Sequence, residues 1–134
     1  MSTLFTNARL IDPETGTDTP GSLLVKDGMI TAVGAEVVVP DGIHVVNCDG
    51  KCLAPGIVDI GVKVCEPGER HKESYKSAGL AAAAGGITTM VTRPDTSPTI
   101  DSPETLEFAR RRANEASPVR VLPMAALTKE REGR

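Results

Sequence analysis

Hydrophobic and polar positions fall into two regimes that change near residue 55. In the first, apolar residues come in short runs cut by turn residues. "TLFTNARLID" predicts a strand, ended by the turn-rich loop "PETGTDTPG". "SLLVKDGMITAVG" sets Asp27-Gly28 between two apolar runs, the strongest short signal for a two-residue hairpin. "HVVNCDGKCLA" repeats the device with Asp49-Gly50. Residues 3–54 therefore predict a small antiparallel sheet, and nothing in them suggests chemistry.

The second regime alternates strand and helix. "GIVDIGVKV" predicts a strand, and "ESYKSAGLAAAA" a helix closed by Gly85-Gly86, which suits a left-handed cap. "ITTMVTRP" is rich in β-branched residues and predicts a strand. "DSPETLEFARRRANEA" predicts a helix with Ser102 as N-cap and Pro103 in its first position. Leu106, Ala109, Ala113 and Ala116 give that helix an apolar stripe. "VRVLPMAALT" predicts a third strand. A β-α-β-α-β order needs parallel strands with right-handed crossovers, as in an α/β barrel or a doubly wound sheet. Three strands do not close a barrel, and the third would be left as a bare edge. The chain thus reads as an N-terminal fragment of a longer protein.

Side chains alternate between the faces of a strand. In "VDIGVKVC" this sets Val58, Ile60, Val62 and Val64 on one face and Asp59, Gly61, Lys63 and Cys65 on the other. The aliphatic row is expected to pack against helices, and the mixed row to face a barrel interior near its C-terminal mouth. A Cys65–Asp59–His71 metal site is disfavoured, because six residues of strand separate the first two by about 20 Å. Cys65 as a nucleophile would need a base, and none is evident.

Composition narrows the function classes. Of 134 residues, 40% are hydrophobic but only 2% aromatic, so the core must be aliphatic. A net charge of -3 gives no reason to expect nucleic acid or an anionic membrane as partner. "RRR" at 110–112 lies among Glu104, Glu107 and Glu115 and reads as a solvated helix face. No segment approaches the roughly 20 apolar residues that span a bilayer, and "MSTLFTNARL" lacks the features of a signal peptide. Cys48, Cys52 and Cys65 read as small hydrophobes in strands of a reduced, cytoplasmic protein.

Several segments together resemble the dihydroorotases of the amidohydrolase superfamily: "LAPGIVDI", "EPGERHKES", "AAAAGGITTMV", "RPDTSPTIDSPETLEF" and "VRVLPMAALTKEREGR". The resemblance implies an α/β fold. Residues 1–54 would be N-terminal strands of a small β-sandwich domain. Residues 55–134 would begin a metal-dependent-hydrolase (β/α)8 TIM-type barrel with three strands and two helices. Such a first strand resembles Asp-x-His-x-His-x-Arg, in which the histidines bind zinc and the arginine grips a substrate carboxylate. Asp59 is retained, Gly61 and Lys63 stand at the histidine positions, and Cys65 stands at the arginine position. The Met-Pro-Asn-Thr that follows the second strand, whose asparagine contacts substrate, is here Arg93-Pro94-Asp95-Thr96.

Glycine ligates nothing, and a protonated lysine has no lone pair to give a metal. Losing the arginine removes a bidentate clamp, and Asp95 adds negative charge where an anion would approach. Without a metal no water is acidified. The expectation is a catalytically inactive, dihydroorotase-like protein of pyrimidine biosynthesis with no cofactor in this chain. Its partners would be aspartate carbamoyltransferase and the rest of its own barrel, in an oligomer. The alternatives are an active zinc-dependent cyclic amidohydrolase with an altered site, and a module that binds ligand without turnover. Lys63 either stands in for the metal charge, pairing with carboxylates from later strands, or simply reaches solvent.

Overall fold

The computed structural model describes residues 2–39 and 41–133; Met1, Pro40 and Arg134, which fall inside the two expected domains, lie outside the described residues. The chain divides into two units, Met1–Pro55 and Gly56–Arg134.

The first unit holds β1 (Ser2–Asp12), β2 (Thr17–Lys26), β3 (Met29–Gly34), β4 (His44–Asn47) and β5 (Cys52–Leu53). Strands β3, β2 and β1 are antiparallel neighbours. The β2–β3 hairpin turns at Asp27 (φ 49°) and Gly28 (φ 80°), the pair of positive φ angles that a type I′ turn needs. Two expectations are corrected. Much of "PETGTDTPG" is strand, because β2 begins at Thr17 and pairs with β1 through Pro20 opposite Arg9. Proline is tolerated there because β3 begins to pair only at Ser22, so no ladder bond on that side is lost. The Asp49-Gly50 turn makes no hairpin: β4 and β5 both run parallel to β1, and the sheet is mixed, not purely antiparallel. Strand β1 shifts register between Phe5 and Ala8, with Asn7 at φ 51°. The turn sits against that bulge, with Cys48 N donating to Thr6 O (2.8 Å) and Gly50 N to Asn7 O (2.7 Å). The edge is thus one strand in two pieces, kinked where its neighbour is bulged.

The second unit is β6 (Ile57–Val62), α1 (Tyr75–Ala84), β7 (Ile87–Thr92), α2 (Pro103–Ala116) and β8 (Arg120–Pro123), then a 3-10 turn at Lys129–Arg131. Its three strands form a parallel sheet in sequence order. Both helices open with a capping box, Ser74 with Ser77 and Ser102 with Thr105. Gly86, at φ 80°, supplies the left-handed residue after α1. The core joins Val64, Tyr75, Ala78, Ala82, Met90, Ile100, Ala109, Ala113 and Val121. Small residues dominate the helix side of it, so the helices pack close.

One buried carboxylate organises this unit. Glu66 is 4% exposed. Its Oε2 accepts the Tyr75 backbone N–H at 3.1 Å, satisfying a donor that the first turn of α1 leaves free. Its Oε1 accepts from Arg112 Nε of α2 at 3.1 Å. Arg110 and Arg111 are exposed, but Arg112 is not part of a merely solvated face as the sequence suggested: it bridges Glu66 and Glu115.

Gly79, inside α1, is explained by close approach. A Cβ there would lie 2.4 Å from Ser117 Oγ and 2.7 Å from Pro118 Cδ. We expect Gly79→Ala to lower stability by about 1 kcal/mol. Overpacking of about 2 kcal/mol exceeds the gain in helix propensity of about 1 kcal/mol. Urea unfolding should show a lower midpoint at an unchanged m value.

Candidate functional site

Strand β6 does not keep a simple alternation. Ile60 aligns with Val91 and Val62 with Thr92, so two steps on β6 match one on β7. Gly61 is the extra residue, at φ 96°, a bulge that glycine adopts without a Cβ penalty. The single aliphatic row expected from the sequence is therefore split. Val58 and Ile60 are 57% and 75% exposed, whereas Val64 is 2% exposed and Val62 packs against the core. The mixed row is broken at the same point, so Asp59 and Gly61 do not continue the face that carries Lys63 and Cys65.

Beyond the bulge the chain runs extended, and its residues take opposite sides. Val64 and Glu66 are buried; Lys63 is exposed and Cys65 half-buried. Lys63 and Cys65 line a cavity of about 220 Å³ with Asp95, Glu69, Ser97 and Arg131. Lys63 Nζ donates to Asp95 Oδ2 at 2.8 Å, and the Arg93 guanidinium donates to the same oxygen at 2.9 Å. The carboxylate that pairs with Lys63 thus comes from the loop after the next strand. It is also the residue expected to repel an anion, and two cations now face it. The Asp95 side chain is 10% exposed against 52% for Lys63. Burial pushes the Asp95 carboxyl up, but the Lys63 hydrogen bond and charge, with the Arg93 charge, outweigh it and hold the group below its usual value. Its Oδ1 is buried without a donor among the described residues. On the cavity rim, Lys72 holds the Glu69 carboxyl below its usual range through a hydrogen bond and its charge.

These residues do not fit a metal. Gly61 has no donor atom, and the Lys63 nitrogen spends a proton on Asp95. Among the described residues no three of His, Cys, Asp or Glu gather as ligands would. Asp59 and His71 are exposed and line no part of the cavity. Cys65, at the position where the resemblance puts an arginine, presents a thiol and no cation. Sequence reasoning missed Glu69, Ser97 and Arg131 as wall residues, and Arg93 as a partner of Asp95. The only available signal was their presence inside "EPGERHKES", "RPDTSPTID" and "LTKEREGR".

The dihydro-orotase-like family matches residues 50–134. The chain belongs to the dihydroorotase-like family. It is 42% identical over 132 residues to a dihydroorotase of Wolbachia sp. subsp. Brugia malayi, covering 96% of this chain and 30% of that protein. It is 37% identical over 133 residues to a dihydroorotase of Pelobacter propionicus, covering 99% and 31%. The chain spans about three-tenths of the length of these relatives. Among solved structures, an L-hydantoinase (dihydropyrimidinase) from Arthrobacter aurescens superposes with a TM-score of 0.82 at 24% identity, covering 92% of this chain and 27% of that one. The crystal structure of a dihydroorotase gives 0.64 at 20% identity, covering 96% and 32%. The likeness to these structures shows the fold, a mixed α/β one. No helix among the described residues is long and apolar enough to cross a membrane.

The Asp95 carboxyl has a pH signature. Its native pKa lies below the ordinary 3.8, so its contribution to stability is complete above about pH 5 and is lost as pH falls through the native value. The Asp95→Asn variant should therefore lose less stability than the unmodified chain between about pH 6 and pH 3, measured by urea unfolding at the two pH values.

Proposed function

We propose that the protein is a dihydroorotase-like component of pyrimidine biosynthesis in which catalysis has been lost, acting as a structural partner of aspartate carbamoyltransferase. One observation carries the proposal: at the mouth of the strands, where the resemblance puts a zinc ligand and a substrate contact, the chain holds an ion pair between Lys63 and Asp95. A lysine engaged in this way has no lone pair for a metal, and without one the family's hydrolytic water is not activated.

The framework around that site is kept. Both helices are capped, Glu66 is satisfied on both oxygens, and the three strands pair in parallel, β7 with β8 without a break in register. Selection for a shape that another protein recognises would maintain such features while releasing the catalytic residues. In this reading the chain needs no cofactor. It docks with the remaining strands of its own barrel, assembles as an oligomer with the transcarbamoylase, and works in the cytoplasm. Three unpaired cysteines, Cys48, Cys52 and Cys65, suit a reducing compartment.

Native mass spectrometry of the protein purified from its own source, paired with a dihydroorotate hydrolysis assay, tests this reading. The expected result is no bound zinc, no turnover and a stoichiometric transcarbamoylase. Zinc at one or two ions per chain, together with turnover, would overturn it in favour of an active amidohydrolase.

A further inference from the structure

We infer that Lys63 and Asp95 form one compensated unit, in which the chain supplies its own cation at the mouth of the strands in place of a metal ion. The inference deepens the proposed loss of catalysis and rests on that reading only for why a metal is dispensable. The two residues stand 32 positions apart, on the exits of neighbouring parallel strands. Each is a departure from the pattern that the resemblance implies.

Taken singly, each departure is unfavourable. An aspartate nine-tenths buried needs a cation, because a desolvated carboxylate without one is costly. A lysine at the end of β6 puts a charge beside a cavity that no ligand need fill. Together they cancel, at 2.8 Å. Arg93 approaches the same Oδ2, so the second cation backs the pair without replacing Lys63 as the group facing the cavity. Reverting Lys63 alone to the residue the resemblance implies would strand the carboxylate against a single guanidinium.

The unequal exposure of the partners makes the pair testable without reference to turnover. Removing Lys63 leaves a buried charge, whereas removing the Asp95 charge leaves a half-exposed ammonium that water can solvate. Lys63→Met should raise the unfolding equilibrium constant by roughly tenfold in the unmodified chain, and by less than about twofold in the Asp95→Asn background. Carbon-detected NMR should show the Asp95 carboxyl titrating at higher pH in Lys63→Met than in the unmodified chain. Equal cost of Lys63→Met in the two backgrounds, or an Asp95 titration indifferent to Lys63, would overturn the inference and leave Arg93 as the sole holder of the carboxylate. If Lys63→Met does not fold, Lys63→Arg decides: it must keep the Asp95 titration as low as in the unmodified chain, and a rise overturns the inference. Because neither measurement involves substrate or metal, failure here is distinguishable from failure of the proposed function.

Discussion

The second unit depends on where the Glu66 carboxylate goes. It is buried, and a buried carboxylate must be fully engaged or it destabilises the fold. Glu66 meets that condition by joining the first N–H of α1 to the Arg112 guanidinium of α2. The segment leaving β6 is thereby pinned at two inward-facing points, Val64 and Glu66. Alternation then leaves Lys63 and Cys65 no direction except toward the cavity. The position of the candidate site is a consequence of that anchoring. Loops flanking a cavity are usually mobile; here the loop's alternate residues are held by the core.

Much of the fold was legible because local chemistry and tertiary packing agree. Ser102, Pro103 and the stripe of Leu106, Ala109, Ala113 and Ala116 specify α2 without ambiguity, and the structure buries Ala109 and Ala113 almost completely. Asp27-Gly28 is equally unambiguous, since few residue pairs accept two positive φ angles in succession. Asp49-Gly50 shows the limit of the same signal. The dipeptide specifies a reversal of φ, not which strands it joins, and here it kinks an edge strand opposite the Asn7 bulge. Pairing partners are non-local, and no dipeptide encodes them.

The candidate site was legible by position and not by geometry. The motifs around Gly61, Lys63, Cys65 and Asp95 singled these residues out by resemblance, and the structure brings Lys63, Cys65 and Asp95 to one cavity. That Gly61 is a bulge did not follow, because a glycine in a strand pattern fits both a regular strand and a kink. Its consequence is large: the bulge moves Val62 to the core and leaves Ile60 exposed. Arg112 was misread for a related reason. A charge run looks uniform in sequence, yet a helix gives each member a different direction, and one of three reached a buried carboxylate.

A strand mouth built around a metal concentrates groups that attract cations. When the ligands change one at a time, each intermediate sequence must still account for the charges left behind. An aspartate at position 95 without a neighbouring cation is a buried, unpaired carboxylate, and a lysine at position 63 without an anion adds a second positive charge to a cavity already lined by Arg131. The pair resolves both problems with one hydrogen bond. It is short-range, so it tolerates changes elsewhere on the mouth, such as a thiol at Cys65. Unlike a metal, it needs no free coordination position and offers none to water. A site arranged in this way sets a cation against its carboxylate and ties the segment after β6 to the loop after β7.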